Sequence, residues 1–108
     1  MRHQDIFIAH TQSKGRGVFT KTALHSGTVI EIAPVIVMPA KDRLLIDQTV
    51  LHDYIFEWQP EGKNMCCMAL GYVPVYNHSP ASNCEYFMNY IDKTIEIRTV
   101  RAVAAGDE

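Results

Sequence analysis

The strongest constraint on the fold is the distribution of apolar residues, which form short β-branched runs interrupted by glycine, proline and small polar residues. Runs of this kind, with turn residues between them, are typical of β-strands. They span residues 6–9, 18–20, 28–32, 35–38, 65–72, 85–91 and 94–100. At 108 residues the chain is long enough for one domain. The pattern therefore predicts a single mostly-β domain, residues 1–108, with about six to eight short strands and one short helix.

The middle of the chain carries three further predictions. Because proline cannot donate to a strand ladder, Pro34 is expected to separate the runs on either side of it into two strands. Helical spacing of apolar residues predicts a helix over residues 42–56, with Asp42 as its cap. The residues with this spacing are Leu44, Leu51, Ile55 and Trp58. Residues 60–64 are expected to form an exposed loop.

Charge and hydropathy exclude several classes of protein. The net charge of −2 argues against direct binding of nucleic acid through a basic surface. Residues 41–108 carry six basic and ten acidic side chains, which would suit a lysine-rich peptide, although a solvated surface explains them equally well. No apolar run approaches the roughly 20 residues that span a membrane, and the first residues do not resemble a secretory signal. We therefore expect an intracellular protein without membrane contact.

The three cysteines indicate neither a disulfide framework nor a metal site. Cys66 and Cys67 are adjacent, and Cys84 stands alone. Structural zinc needs four ligands, which are commonly supplied as pairs with C-x-x-C spacing, and no such pair exists in the sequence. The prediction is three reduced cysteines, mostly buried as small apolar residues, and no bound metal.

Two polar stretches are candidates for a functional site. Asn77-His78-Ser79 and Asn83 form a polar block between apolar runs, and a loop whose side chains bond their own backbone would explain them. Gly15 and Gly17, on either side of Arg16, permit a positive φ and a close approach of backbone to a ligand. A plain turn between two strands is the alternative interpretation of these glycines.

The order of the motifs adds a resemblance. Gly-x-Gly at 15–17, Asn-His-Ser-x-x-x-Asn at 77–83 and Gly-Asp-Glu at 106–108 resemble the SET domain of protein-lysine methyltransferases, over about residues 7–108. The likeness is greatest to minimal SET proteins, of the viral and bacterial kind, that lack flanking zinc domains. It implies a β-clip fold in which the C-terminal segment threads beneath the Asn-His loop as a pseudoknot. It also implies transfer of a methyl group from S-adenosylmethionine to a lysine of a protein or peptide.

The resemblance also implies roles for individual residues. Residues expected to bind the cofactor are Lys14, Gly15, Arg16, Gly17, Asn77 and His78. Tyr54 and Tyr72 are candidate walls of the lysine channel, whereas spacing alone favours a core position for Tyr54. Asn83 would tie the loop. Many nuclear members have a zinc-binding cysteine where this chain has Pro80, which agrees with the expectation of no metal.

The chemistry implied by the resemblance needs neither a metal nor a covalent intermediate. Methyl transfer from a sulfonium to an amine depends on alignment, and an apolar aromatic channel favours the neutral amine that attacks. Family members continue past Gly-Asp-Glu to a catalytic tyrosine, which the 108 residues lack, so this chain is expected to be impaired in transfer if it ends at Glu108. A non-catalytic SET-fold interaction module is the alternative. A homodimer is compatible with so small a core.

Overall fold

The computed structural model describes residues 1–60, 64–79 and 81–108, and within them it contains seven β-strands. The strands are β1 Ile6–His10, β2 Arg16–Thr20, β3 Val29–Met38, β4 Phe56–Trp58, β5 Met65–Ala69, β6 Cys84–Asn89 and β7 Thr94–Thr99. The helices in the same described residues are α1 Ala40–Ile46 and two short 3-10 helices, Val50–Tyr54 and Val73–Val75. The predicted mostly-β fold is therefore confirmed. The predicted loop over residues 60–64 falls largely outside the described residues.

The strands form two antiparallel sheets. β1 and β2 pair as a two-stranded sheet, and the remaining strands form a five-stranded sheet in the order β4-β5-β3-β7-β6. The long strand β3 lies at the centre of the larger sheet, where residues 29–34 pair with β7 and residues 35–38 pair with β5. Because one strand serves two neighbours in succession, it connects the two halves of the sheet.

Pro34 does not divide β3, so the prediction of two separate strands is wrong. The proline lies where the strand exchanges partners: pairing with β7 ends at Pro34 opposite Thr94, and pairing with β5 begins at Val35 opposite Ala69. The carbonyl of Pro34 accepts a hydrogen bond from the Leu70 amide at 3.1 Å. A missing N–H is tolerated at this point because the ladder is already interrupted there.

The predicted helix over residues 42–56 is also wrong in its extent and its cap. The α-helix covers only Ala40–Ile46, begins after Pro39 rather than at Asp42, and buries none of its residues. Thr49 then accepts a hydrogen bond from the Leu51 amide and starts the 3-10 helix. Trp58 is buried, with only 2% of its surface exposed, and it lies on strand β4 and not on a helix. Its helical spacing from Leu51 was therefore coincidental.

The five-stranded sheet is curled, and aromatic side chains from its two edges are in contact. Phe56 on β4 packs edge-on against Tyr86 on β6, with ring centroids 5.4 Å apart. Trp58 packs in the same way against Tyr90, just after β6, at 4.7 Å. Since β4 and β6 are the outermost strands of the sheet, these pairs close it through side chains and not through a backbone ladder.

The C-terminal segment, residues 100–108, lies between β2 and the polar block, as the β-clip pseudoknot requires. Val103 and Leu24 exchange two backbone hydrogen bonds of 2.8 and 2.9 Å. Further along the segment, the Thr20 carbonyl accepts from the Gly106 amide at 2.7 Å. On the other side, the Val100 amide donates to the Asn83 carbonyl at 2.9 Å. The segment therefore ties the first strands of the chain to the polar block.

Candidate active site

The glycine motif lies in a tight turn, residues 11–17, which we call the Gly-x-Gly turn. The Thr11 amide donates to the Gly15 carbonyl at 2.6 Å, and the Thr11 hydroxyl accepts from the Lys14 amide at 2.7 Å. Gly15 has a φ of +70°, a conformation that residues with a side chain rarely adopt. The turn places Lys14 in the lining of a cavity, to which the neighbouring Val18 also contributes.

The polar block forms the facing side, which we call the Asn-His loop and which comprises residues 77–79 and 81–83 of the described chain. The Asn77 side-chain amide donates to the Arg16 carbonyl at 3.0 Å and to the Glu108 carboxylate at 2.7 Å. The Lys14 ammonium group donates to the His78 carbonyl at 3.4 Å. Hydrogen bonds thus join the three motifs, which are far apart in the sequence.

The space beside Gly17 that a side chain would need is occupied by other residues. A Cβ atom at this position would clash with the carboxylate of Glu108 and lie 2.9 Å from the Asn77 amide nitrogen. The amide of Asn83 meanwhile donates to the Glu108 backbone carbonyl at 2.7 Å, so Asn83 anchors the end of the chain to the loop. A side chain at residue 17 would therefore require the side chains of Glu108 and Asn77 to move from their places at the junction of the three motifs.

A cavity of about 480 Å³ opens beside this junction. This volume is within the range of sites that enclose a small organic molecule, roughly 300–1,000 Å³. The side near the junction is polar, and the rest is largely apolar or aromatic. The polar lining includes Lys14, Asn77, His78, Ser79, Asn83 and Glu108, and the apolar lining includes Val18, Phe56, Val73, Tyr76, Tyr86 and Ile97. Such a lining suits a ligand with one charged end and one planar apolar part.

The described lining of the cavity does not include the two tyrosines that the sequence put forward for the lysine channel. Tyr72 lies under Arg2, whose guanidinium carbon is 3.7 Å from the centre of its ring. Tyr54 ends the first 3-10 helix and is 38% exposed. Arg16 reaches the junction through its carbonyl oxygen, and its side chain is exposed. Of the six predicted cofactor residues, Lys14, Asn77 and His78 line the cavity, whereas Gly15, Arg16 and Gly17 are absent from its described lining. Arg16 and Gly17 adjoin it through their contacts with Asn77, and their role in binding stays a prediction.

Two of the aromatic residues that line the cavity, Phe56 and Tyr86, were missed. They belong to strands far apart in the sequence that meet only because the sheet curls. The sequence carried no signal for either residue, because Cys84 was not predicted to lie at the site and its neighbours Glu85 and Tyr86, on opposite faces of the strand, both line the cavity.

The cysteines are free, as predicted, and Cys66 and Cys67 are fully buried. Burial raises the pKa of the Cys67 thiol to about 11, and it also raises the pKa of Cys84, which lines the cavity. These thiols therefore remain protonated at neutral pH and are poor nucleophiles. The residues that the structure describes contain no group of three or more side chains placed to hold a metal ion.

A buried carboxylate, Glu31, was also missed. Glu31 lies on β3 and is only 2% exposed. Its carboxylate accepts from the Tyr72 amide at 2.8 Å and from the Tyr76 hydroxyl at 3.1 Å. Burial raises the pKa of Glu31, against the opposing effects of these two bonds and of the nearby Arg2 charge. Burial also raises the pKa of Tyr76, as does the adjacent carboxylate, so Tyr76 keeps its proton and donates it to the bond.

The raised pKa of Glu31 predicts how its replacement by glutamine changes stability with pH. Because the pKa in the folded protein is above the ordinary 4.5, the group stabilises the folded state fully below pH 4.5. That contribution is lost as the pH rises through the folded-state pKa. Glu31→Gln, which cannot ionise, should therefore gain stability relative to the unmodified protein between about pH 4 and pH 7. Urea denaturation of both proteins at the two pH values measures this gain, and a constant difference would contradict it.

Comparison with known proteins identifies the family. The SET domain model matches residues 15–108, so the chain belongs to the SET domain family. A histone-lysine N-methyltransferase of Schizosaccharomyces pombe, specific for H3 lysine 37, is 32% identical over 102 residues. The match covers 94% of this chain and 67% of that relative. The predicted SET domain and its lysine methyltransferase activity, which in this family depends on S-adenosylmethionine, are confirmed at the level of the family.

Solved structures agree on the fold. A candidate histone methyltransferase of Plasmodium falciparum has a TM-score of 0.71 at 24% identity, and the match covers all of this chain and 90% of that one. CpSET8 from Cryptosporidium has a TM-score of 0.74 at 16% identity, covering 98% and 56% of the two chains. A humanised mutant of the Chaetomium thermophilum Polycomb Repressive Complex 2, bound to the inhibitor GSK126, scores 0.79 at 13% identity. That match covers 98% of this chain and 14% of the other.

Proposed function

We propose that the protein binds S-adenosylmethionine in the 480 Å³ cavity and transfers its methyl group to a lysine of a histone or a similarly basic protein. The observation that carries the proposal is the Asn77 side chain, which joins the Gly-x-Gly turn and the Asn-His loop at the polar side of the cavity. The activity follows from the family. The histone substrate rests on the Schizosaccharomyces pombe relative, whose name specifies lysine 37 of H3.

The residues at the polar side fit the amino-acid end of the cofactor. Lys14 offers a cation for a carboxylate, and Gly15 leaves the space beside its backbone open, since a Cβ there would meet nothing within 4 Å. Asn77 and His78 present amide and backbone groups from the opposite side. The aliphatic part of the lining, which includes Val18, Val73 and Ile97, suits the adenine ring. When bound, the cofactor supplies an activated methyl group on a positively charged sulfur.

Phe56 and Tyr86 are the residues that we assign to the acceptor lysine. Their rings meet edge-on at 5.4 Å and both line the cavity, where curling brings the sheet edges together. A lysine side chain placed along these rings would lose water, and loss of water lowers the pKa of an ammonium group. The neutral amine can then attack, provided that its nitrogen is aligned with the methyl group. Tyr54 and Tyr72 remain predictions from the resemblance, and their positions outside the cavity lining do not support them.

The charge of the chain and its exposed apolar residues bear on its partners. The excess of acidic groups in residues 41–108 favours a lysine-rich segment over an acidic one. Glu85 lines the cavity beside Tyr86 and is exposed, so it could pair with a basic residue that flanks the target lysine.

A histone substrate would also place the protein inside the cell, and none of the described helices is long and apolar enough to cross a membrane. Pairing of two chains stays a prediction, for which exposed Leu44 and Leu45 on α1 offer a surface.

Cofactor binding is tested by calorimetric titration with S-adenosylhomocysteine, the product that retains most of the cofactor. The unmodified protein should bind one molecule per chain. Asn77→Ala should weaken binding by about 1–3 kcal/mol, or roughly 5- to 150-fold, because the groups that Asn77 joins lose their partner. Asn89→Ala is the matched control, since the Asn89 side chain bonds to Ile91 and Asp92 in the turn after β6 and is absent from the described cavity lining. Equal affinity in all three proteins would remove Asn77 from the site.

A further inference from the structure

Glu31 is connected to the candidate cofactor site through a short chain of contacts. Its carboxylate accepts the Tyr76 hydroxyl, and the ring of Tyr76 lines the cavity. The next residue is Asn77, whose amide reaches the Arg16 carbonyl in the Gly-x-Gly turn. A side chain of the central strand β3 is therefore connected, through Tyr76, to the residue that joins the two loops.

The same carboxylate also fixes the beginning of the segment that leads to the Asn-His loop. The Tyr72 amide donates to it at 2.8 Å, just before the 3-10 helix Val73–Val75. Gly71 has a φ of +69°, and a Cβ atom there would clash with the carboxylate of Glu31. Residues 71–76 are thus held to β3 at both ends by one acidic side chain.

The cost of leaving a buried polar group unpaired makes this attachment stiff. A carboxyl group away from water is costly to bury unless hydrogen-bond partners satisfy it. Here the donors are the Tyr72 amide and the Tyr76 hydroxyl, with the Arg2 charge nearby. If Tyr76 moved away from β3, the carboxylate would lose one of its two hydrogen bonds. Leaving this buried group short of a partner is unfavourable, so Glu31 opposes displacement of Tyr76, and with it displacement of Asn77.

We propose that Glu31 is a positioning residue for the cofactor site, acting through Tyr76 to hold Asn77 at the distance from Arg16 that cofactor binding requires. The proposal rests on the proposed function, because it takes the cavity beside Asn77 as the cofactor site. It predicts that cofactor affinity depends on a hydrogen bond whose acceptor, Glu31, is absent from the described lining of the cavity.

The test uses three variants and one control, each titrated with S-adenosylhomocysteine well below its melting temperature. Tyr76→Phe keeps the ring and removes the donor, so the dissociation constant should rise about tenfold. Glu31→Ala should raise it at least as much. Glu31→Gln should remain within about threefold of the unmodified protein, because its carbonyl can accept from the Tyr72 amide and its NH₂ can donate to the Tyr76 oxygen. Val35→Ala, which removes packing from the same strand away from the cavity, controls for lost stability.

Steady-state kinetics provide a second readout that general destabilisation would not reproduce. In Tyr76→Phe and Glu31→Ala the KM for cofactor should rise more than kcat falls, since the missing bond positions a binding residue. The double variant should bind like Glu31→Ala alone, because both changes remove one interaction. If Glu31→Ala fails to fold, Tyr76→Phe and Glu31→Gln still decide the question.

The outcomes separate this inference from the proposed function. If the unmodified protein does not bind S-adenosylhomocysteine, the cofactor site itself is misassigned. If it binds, and Asn77→Ala weakens binding while Tyr76→Phe and Glu31→Ala behave like Val35→Ala, Glu31 is only a structural residue and the positioning role is overturned.

Discussion

Replacing Gly71 with alanine is expected to remove much of the stability of the fold. The residue has a φ of +69°, and a side chain in that conformation costs about 1–2 kcal/mol. The added methyl group would also clash with the Glu31 carboxylate and push it away from the Tyr72 amide. A buried group left without its partner costs about 1–3 kcal/mol more. Since domains of this size are stable by only about 5–15 kcal/mol, the sum of roughly 2–5 kcal/mol is a large share.

A second glycine separates backbone strain from the clash. Gly27 has a φ of +83°, and a Cβ atom there would meet nothing within 4 Å. Gly27→Ala should therefore cost only the conformational part, about 1–2 kcal/mol. Urea denaturation of the two variants gives the difference directly. If both lose the same free energy of unfolding, the contact between residue 71 and Glu31 is not as close as the structure has it.

The sequence was sufficient for the parts of the site that depend on local backbone. The Gly-x-Gly turn needs a positive φ at Gly15, and the polar residues around Asn77 must find partners near the backbone, so both stretches are recognisable without knowing the fold. That the two stretches lie side by side was expected only from their order along the chain, which resembles a known family. The structure joins them through the Asn77 amide.

The buried Glu31 could not be predicted from strand periodicity. In a regular strand the neighbours of an inward side chain point outward, so Ile30 and Glu31 should lie on opposite faces. The register between β3 and β7 shifts between Val29 and Glu31, and Ile30 and Glu31 are both buried. An irregularity of this kind adds one residue and changes which face the following side chains occupy. No turn residue marks it in the sequence.

The predictions of a strand break at Pro34 and of a helix over residues 42–56 failed for a related reason, because the true structure at each place depends on tertiary contacts. A proline is excluded from a strand that must donate at that position, but β3 exchanges β7 for β5 just there. Trp58 matched a helical spacing, but packing against Tyr90 across the closing sheet fixes it in a strand. Local propensity is overridden where distant strands determine the environment.

The largest expected effect on activity comes from replacing Tyr86, one of the two aromatic residues to which we assign the acceptor lysine, where the edges of the sheet meet. Tyr86→Ala should lower kcat for methyl transfer to a histone-derived lysine peptide by about a hundredfold. The reason is that the attacking nitrogen must be held in line with the methyl group, and a misplacement of about 1 Å can cost that much. Affinity for S-adenosylhomocysteine should change little by comparison, because the contacts of Asn77 and Lys14 lie at the other side of the cavity.

Neighbouring residues provide the controls for this experiment. Phe56→Ala removes the other ring of the pair and should reduce kcat in the same direction. Phe87 is next to Tyr86 but packs under the Arg98 guanidinium at 4.5 Å, away from the described cavity lining, so Phe87→Ala should leave transfer within about threefold of the unmodified rate. Tyr86→Phe keeps the ring and removes the hydroxyl, so it distinguishes the contributions of the two groups to kcat. Full activity in Tyr86→Ala would place the lysine elsewhere, and Tyr54, on the 3-10 helix that precedes Phe56, would be the first alternative because the resemblance had already put it forward.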